Sequence, residues 1–457
     1  MGLARSCSRR RVSAAGALAF TCLAGSAAAQ EVPTTFAPKM MLSNYNRHPV
    51  GVMASIEGGA YAARANDASA LWYNPAGQAA SADLVLSGSA SAFEWTWNTR
   101  NGEGDWIDDG YYNSVRAAAG STSSTLNSKE WYWGSLLAAP RSWRQSTNAE
   151  TTVDLPDGQR KLVQVNSSEI ETYFISLGIG WKPDKPWRFG ASAGLLGTWF
   201  QADQSATARD LTAGGQGASV AVLRTSGVSY DLRVNLGVQT DIGEHLTLGL
   251  AVRSPGLHIW DSADETFDLL HTDNGGTSQI TFRDTAASTS YRYPLEGTLG
   301  IAYSEETWAI EFDVTACDGI GEYTFLGSEK SIKSTQGGAV AETPFNDVRI
   351  SAEPVVNFAL GGRTRISEKV QFHAGVYTDY SPAPENGQVF DKINLYGATV
   401  GFSIMVRRPG SFWVIGLNYL HGSRDDLAAR DLATGANVPT DVTVSTLSAV
   451  IGTMMTF

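Results

Sequence analysis

The stretch that decides the fold reads Tyr230-Asp231-Leu232-Arg233-Val234-Asn235-Leu236-Gly237-Val238-Gln239-Thr240. Successive side chains of a β-strand point to opposite sides, so the aliphatic residues at 232, 234, 236 and 238 share one face. The polar residues at 231, 233, 235 and 239 share the other. One face suits lipid and the other suits water, which predicts a strand in the wall of a transmembrane β-barrel.

The same alternation recurs from residue 84 onward, in segments of roughly 10 to 16 residues. Clear examples are 173–181, 308–314 and 370–376. The last segment, 444–457, also alternates and ends in an aromatic residue, which resembles the closing strand of outer-membrane proteins. Amphipathic rings gather where headgroups meet water, so tryptophans near the strand ends predict aromatic girdles: Trp181, Trp187, Trp199, Trp260, Trp308 and Trp413.

The connections between these segments alternate in length. Six short turns are predicted near residues 128, 184, 242, 305, 367 and 408. Between them we predict seven long polar loops, approximately at 99–111, 144–168, 205–227, 261–291, 319–350, 382–392 and 424–442. Outer-membrane barrels have short turns at one end and long loops at the other, and this separation of lengths is not expected of a soluble β-sandwich. The sequence therefore predicts an all-β fold, a 14-stranded antiparallel transmembrane β-barrel over residues 83–457.

The composition excludes other classes of protein. Acidic residues outnumber basic ones by 46 to 34, so the basic stripe of a nucleic-acid-binding protein is missing and no nucleic-acid partner is expected. Charged residues make up only 18% of the chain, against roughly 25% in an average soluble protein. Beyond residue 30 there is no uninterrupted apolar run of 18 residues, which excludes a bundle of membrane-spanning helices.

The first 29 residues have the layout of a secretory signal peptide. Four arginines precede an apolar stretch at 12–25, and the small residues Ala27-Ala28-Ala29 form a signal-peptidase cleavage site. Removal of 1–29 also removes two of the three cysteines, and Cys317 then has no partner for an intramolecular disulfide. We expect a multi-pass protein of the outer membrane of a Gram-negative bacterium.

Residues 30–82 do not alternate and predict a plug, or hatch, inside the barrel. Asn66 or Asp67 can cap a short helix that Pro75 ends, because proline disfavours helical geometry in the residue before it. The alternative is a surface turn. The segment reads Asn66-Asp67-Ala68-Ser69-Ala70-Leu71-Trp72-Tyr73-Asn74-Pro75-Ala76-Gly77.

This segment resembles the hatch of the FadL/TodX family of outer-membrane transporters. The resemblance continues at 249–255, at 374–382 and in the last strand, and so spans nearly the whole chain after the signal peptide. It implies a barrel plugged by its N-terminal hatch, which passively takes up long-chain fatty acids or other hydrophobic compounds without a cofactor. It also implies a kink in the third strand that opens the wall toward the bilayer. The two alternatives are a general porin for polar solutes and a barrel that serves as a scaffold or shuttle in surface protein secretion.

Several residues are candidates for this function. Asn74, Pro75 and Ala76 form the hatch motif, and we expect them to hold the passage shut or aligned until ligand binds. Pro140 lies in the expected third strand, where a residue without a ladder hydrogen bond is a candidate for the lateral opening; the alternative is that it merely ends the strand. The candidate lumenal ligands for a carboxylate are Arg233, Arg253 and Arg363.

The simpler interpretation of these arginines is that they pair with lumenal acids, namely Asp231, Glu311, Asp313 or Asp379. The six histidines show no spacing to a serine or acid that predicts catalysis, and no zinc spacing is visible, so we expect neither an enzyme nor a metal site. The expected partners are a hydrophobic small molecule, the bilayer with its lipopolysaccharide, and the outer-membrane assembly machinery. The protein is expected to be a monomer.

Overall fold

The computed structural model describes the greater part of the chain from residue 40 onward. The predicted signal peptide, 1–29, lies outside the described residues and stays a prediction. The described ranges are 40, 43–45, 49–81, 84–101, 106–108, 116–125, 128–155, 158–183, 186–211, 217–273, 276–385, 387, 389–406, 410–430 and 437–457.

Strands dominate these ranges. They are β1 (Leu84–Asn101), β2 (Trp106–Asp108), β3 (Arg116–Thr125), β4 (Ser128–Leu155), β5 (Gly158–Trp181), β6 (Trp187–Asp210), β7 (Ala218–Ile242), β8 (Leu246–Arg253), β9 (Leu257–Asp273), β10 (Gly276–Thr289), β11 (Glu296–Ser304), β12 (Trp308–Cys317), β13 (Ile320–Gly327), β14 (Ser331–Gln336), β15 (Ala339–Pro344), β16 (Val348–Ala352), β17 (Val355–Arg365), β18 (Val370–Asp379), β19 (Leu395–Met405), β20 (Phe412–Arg430) and β21 (Asn437–Thr456).

These strands form a closed antiparallel barrel with fourteen positions in its wall, as the sequence predicts. Closure is made by β1 and β21, whose register runs from Val85↔Thr456 to Asn101↔Asp441. Some wall positions contain two strands in succession. For example, β7 pairs with β9 over Ala218–Leu232 and with β8 over Asn235–Ile242.

The burial of the stretch at 230–240 confirms the predicted alternation. Leu236 is 55% exposed on the outer face, whereas Arg233 and Asn235 are 2% and 4% exposed on the inner face. Rings cluster on the outer face beside the short turns, where Trp131 stacks on Trp181 at 5.6 Å between ring centroids. The outer wall is therefore apolar with aromatic groups near its edge.

The predicted long loops are shorter than the sequence suggests. β4 and β5 run on to Leu155 and Gly158, so most of 144–168 is a β-hairpin, and 205–227, 261–291 and 424–442 also consist largely of strand. The prediction of loops was wrong here because the alternation of apolar and polar residues fades along these hairpins in the sequence. The hydrogen bonds between strands join backbone groups and do not depend on an apolar face. The strands therefore continue beyond the point where the sequence stops alternating.

Among the described residues, helical structure lies only in the segment before β1. It comprises a 3₁₀ helix at Ala54–Ile56, the one-turn helix α1 at Ala70–Tyr73 and a second 3₁₀ helix at Pro75–Ala80. Within the described ranges, no helix has the length and apolar character needed to cross a membrane.

Candidate functional site

The described residues 49–81 lie inside the barrel and are called the hatch below. Its apolar side chains are almost completely buried, with Ile56 and Leu71 each at 0% exposure and Tyr61 at 1%. The N-cap of α1 is Ser69, and not Asn66 or Asp67 as the sequence predicts. Asp67 Oδ1 instead accepts hydrogen bonds from the backbone N–H and the hydroxyl of Ser69, at 2.9 and 2.5 Å, just before the helix. The hatch is thus a packed plug and not a surface turn.

The hatch motif makes direct contact with the wall. Asn74 Nδ2 donates to the carbonyl oxygens of Ala62 at 2.8 Å and Val238 at 3.0 Å, and its Oδ1 accepts from Ala76 N at 3.2 Å. Pro75 opens the second 3₁₀ helix, where its missing N–H has no cost. The motif therefore joins two parts of the hatch to β7.

Paired glycines in the wall make room for this contact. Gly190 of β6 and Gly237 of β7 are register partners. A Cβ added at Gly190 would overlap the backbone of Pro75, and one added at Gly237 would overlap Asn74 Oδ1. The hatch motif can approach the wall closely only because both positions lack a side chain.

The inner polar face of β7 also binds the hatch. Asn235 Nδ2 donates to the carbonyl oxygen of Leu71 at 3.2 Å, and Gln239 Nε2 donates to that of Ala62 at 3.1 Å. Polar side chains that would suit a water-filled lumen thus satisfy the backbone of the hatch, as buried polar groups require.

A buried charge cluster holds the other side of the hatch. The guanidinium of Arg64 lies between Glu57 Oε2 at 2.6 Å and Glu311 Oε2 of β12 at 2.7 Å, and all three side chains are at most 7% exposed. Glu57 Oε1 contacts His373 Nδ1 of β18 at 2.7 Å. Asp313 Oδ2 accepts from the backbone N–H groups of 61 and 62 at 2.8 and 3.0 Å. The hatch is therefore linked to β12 and β18 by charge-assisted hydrogen bonds.

The charge cluster keeps Glu57 ionised. Burial alone would raise the pKa of Glu57, but Arg64 and the hydrogen bond to His373 outweigh it and lower the pKa from 4.5 to about 2. A depressed carboxyl pKa stabilises the folded state above the unfolded pKa, and this contribution is lost as the pH falls toward the folded value. The contact of Glu57 with Arg64 therefore persists at neutral pH and through mild acid.

A wall glycine that contacts the backbone of Glu57 provides a test of whether the hatch is held in place. A Cβ at Gly361 of β17 would overlap the carbonyl oxygen of Glu57, so we expect Gly361→Ala to displace the hatch and increase its cleavage by protease in the folded barrel. The matched control is Gly297→Ala, because a Cβ at Gly297 meets no atom within 4 Å. Equal protease resistance of the two variants would contradict this account.

The three candidate arginines lie on the inner side, but their partners differ from those expected. Arg233 Nη1 bonds Glu296 Oε1 at 3.0 Å, and Arg253 Nη1 bonds Glu296 Oε2 at 2.7 Å. The expected partners Asp231, Glu311, Asp313 and Asp379 were thus wrong for these two. Arg253 also lies over the Trp72 ring at 4.1 Å and donates to its carbonyl oxygen. The positive charge of Arg363 helps to lower the pKa of Glu57.

Pro140 lies at an irregularity in β4. The register with β5 passes from Ala138↔Phe174 to Arg141↔Thr172, so two residues of β4 face one of β5, which is a β-bulge. The ladder between β3 and β4 has its last described pair at Ala118↔Ala138. Pro140 therefore does not end its strand, which continues to Leu155.

A cavity of about 70 Å³ lies above the hatch and extends to Pro140. Trp72 and Tyr73 line it from the hatch, and Arg253 and Glu296 line it from the wall. On its far side the lining includes residues of β17 and β18. The cavity thus connects the top of the hatch with two parts of the wall.

Above the hatch, the buried inward-facing side chains include a group of aromatic rings. Trp72 contacts Phe174 with 5.2 Å between ring centroids, Phe200 contacts Phe325 at 4.9 Å, and Phe325 contacts Phe390 at 6.1 Å. We call these five residues, together with the buried Trp143, Phe267 and Phe282, the aromatic cluster. Sequence analysis missed it, because its members come from the hatch and from strands that are far apart in the sequence.

The sequence matches no protein-family model and no curated protein. Solved structures do match. The toluene transporter TodX of P. putida is 14% identical, with a TM-score of 0.59 over 90% of this chain and 99% of that chain. A FadL homologue of Pseudomonas aeruginosa is 12% identical, with a TM-score of 0.57 over 92% and 100%.

This chain has the fold of those transporters. The toluene transporter TbuX of Ralstonia pickettii matches as well, at 14% identity and a TM-score of 0.56 over 90% of this chain and 100% of that one. The FadL-like fold that the hatch motif predicts is therefore confirmed over nearly the whole chain. Among the residues the structure describes, no group of three or more histidine, cysteine or acidic side chains is placed to hold a metal ion.

Proposed function

We propose that this protein carries hydrophobic compounds passively inward across the outer membrane of a Gram-negative bacterium. The observation that supports this most directly is the aromatic cluster directly above a closed hatch. An apolar solute gains free energy by leaving water for such a lining, at about 25 cal/mol per Å² of apolar surface. The apolar outer wall of the barrel supports insertion in a bilayer, which we propose has lipopolysaccharide around the outer part of the barrel.

A general porin fits this arrangement poorly. Porins need a water-filled lumen, whereas here the hatch fills the lower lumen and its polar contacts are satisfied by the wall. A scaffold or shuttle in secretion would leave the aromatic cluster without a role.

The solute leaves sideways into lipid, because release into water costs more free energy. Moving an apolar chain from an apolar site into water costs about 0.8 kcal/mol per CH₂, on the order of 10 kcal/mol for twelve carbons. The bulge at Pro140, the proline's missing N–H and the cavity that reaches it support a lateral opening there. The hatch motif, held against β7 by Asn74, then closes the route downward.

The proposed substrates are long-chain fatty acids or other hydrophobic compounds. Arg233 and Arg253 are both bonded to Glu296, so a carboxylate would have to compete with that buried pair. Ring-lined walls favour aromatic and aliphatic solutes without a charge. The barrel acts without catalysis or cofactor, as a monomer inserted by the outer-membrane assembly machinery.

Uptake measurements test this proposal. In a strain that lacks the protein and then regains it, we expect entry of radiolabelled toluene, an alkane and a long-chain fatty acid to rise, while entry of a small sugar stays at background. The physical reason is the apolar lining above a closed hatch. Faster sugar entry without faster hydrocarbon entry would favour the porin, and no change for any solute would favour a scaffold.

A further inference from the structure

The hydrogen-bond ladder between β17 and β18 stops before either strand ends. Its last pair is Ala359↔Tyr377, although β17 begins at Val355 and β18 continues to Asp379. Above this point the two chains meet again where Glu353 N donates to the carbonyl oxygen of Pro382 at 2.7 Å. A short interval of wall, with 354–358 on one side and 378–381 on the other, therefore lies outside the regular ladder.

Two side chains bridge this interval. Thr378 Oγ1 accepts from the backbone N–H of Phe358 at 2.9 Å and donates to Asn357 Oδ1 at 3.2 Å. Asn357 Oδ1 also accepts from the backbone N–H of Tyr380 at 2.8 Å. Side chains change rotamer far faster than paired strands separate, so these bridges can open without unzipping the barrel.

The interval has a cavity on its inner side. Asn357, Ala359 and Tyr377 line the same 70 Å³ cavity that Pro140 reaches from the opposite wall, and Phe358 and Thr378 contribute to the lining as well. Asn357 is 4% exposed, and its Nδ2 has no hydrogen-bond partner in the described structure. The latch therefore uses the oxygen of the Asn357 amide, and no protein group that the structure describes holds its nitrogen.

On the outer side the interval is surrounded by apolar side chains. Phe358 is 41% exposed and stacks with Phe312 at 6.3 Å between ring centroids, and Val376 is 53% exposed. A solute that passed between β17 and β18 would thus move from a cavity lined in part by the rings of Trp72, Tyr73 and Tyr377 to an apolar outer surface.

We propose that the wall between β17 and β18, at Asn357 and Thr378, is a second passage by which an apolar solute leaves the lumen sideways into lipid. This proposal rests on the proposed function. The passage lies across the barrel from Pro140, and Pro354 and Pro382 flank it. Asn357 and Thr378 are its latch.

A reversible cross-link tests the passage. In a Cys317→Ser background, Phe358→Cys with Thr378→Cys places two thiols at the next cross-strand pair beyond the ladder. Leu360→Cys with Val376→Cys is the matched control, because these register partners lie within the intact ladder and face outward. We expect the first disulfide to lower uptake of labelled toluene by about half or more, a reductant to restore it, and the control disulfide to have no effect.

A second pair of variants covers the case in which the cysteine variants fail to assemble. Thr378→Val keeps the shape of the side chain and removes the two hydrogen bonds of Thr378 Oγ1, so we expect faster uptake, by about threefold or more. Its control is Thr453→Val, which removes a threonine bond to the Phe412 carbonyl elsewhere in the wall.

The outcomes are distinguishable. Unchanged uptake with the 358–378 disulfide formed, or equal rates for Thr378→Val and Thr453→Val, overturns the second passage and leaves the proposed function standing. If the unmodified protein takes up no hydrophobic solute, the proposed function is overturned and the passage with it. Reduced uptake that the reductant reverses, with an unaffected control, supports the passage.

Discussion

Replacing Arg64 with alanine is expected to open the lower lumen to small polar solutes. The substitution leaves Glu57 and Glu311 as neighbouring buried carboxylates with no cation between them. Breaking a buried ion pair from one side typically costs about 3–5 kcal/mol, which corresponds to a shift of roughly two to four orders of magnitude in the balance between a seated and a displaced hatch. Liposome swelling with sugars, or single-channel conductance, measures the result.

Two further variants define the cause. Arg349→Ala removes an ion pair with Glu322 in which both side chains are more than half exposed, and such pairs contribute little, so its permeability should match the unmodified protein. Arg64→Met combined with Glu57→Gln and Glu311→Gln removes all three charges and should restore a closed lumen. A tightly closed Arg64→Ala barrel would show that the charge cluster does not hold the hatch.

The second large effect is expected from Phe325→Asn in the aromatic cluster. Phe325 is fully buried between the rings of Phe200 and Phe390. An amide at this position must lose its hydration whenever an apolar solute passes, at about 1–3 kcal/mol, so uptake of toluene should fall about tenfold or more. The measurement is the initial rate of uptake at low solute concentration.

Phe325→Leu is the matched control, because it keeps the position apolar and should retain most of the uptake. The position lies in β13, above the hatch, so neither variant should affect closure of the barrel by β1 and β21. Heat-modifiable migration in gels checks that both variants are folded. Equal uptake by the two variants would show that the cluster does not line the route.

The sequence predicts the outer face of the barrel better than the inner one. Lipid imposes one requirement on every outward side chain, so alternation at 230–240 is enough to locate the strand and its faces. The inner face of the same strand contacts particular neighbours. Asn235 and Gln239 look suited to water, and only the structure shows that they bind the hatch backbone.

Long-range pairing explains the remaining differences. Glu296 is 63 residues from Arg233 along the chain, and the height at which two strands meet depends on register that no local pattern encodes. The hatch motif was found because its residues are contiguous. The latch at Asn357 and Thr378 consists of two ordinary polar residues on different strands, and only their interrupted ladder sets them apart.

The seam between β1 and β21 also dictates an order of assembly. The N–H of Phe457 donates to the carbonyl oxygen of Leu84 at 3.0 Å, so the two edges that meet there are separated by nearly the whole barrel sequence. Contacts of such separation form late, because the loop between them must be closed first. The hatch directly precedes β1, so closure of the seam joins the last strand to the strand that anchors the plug.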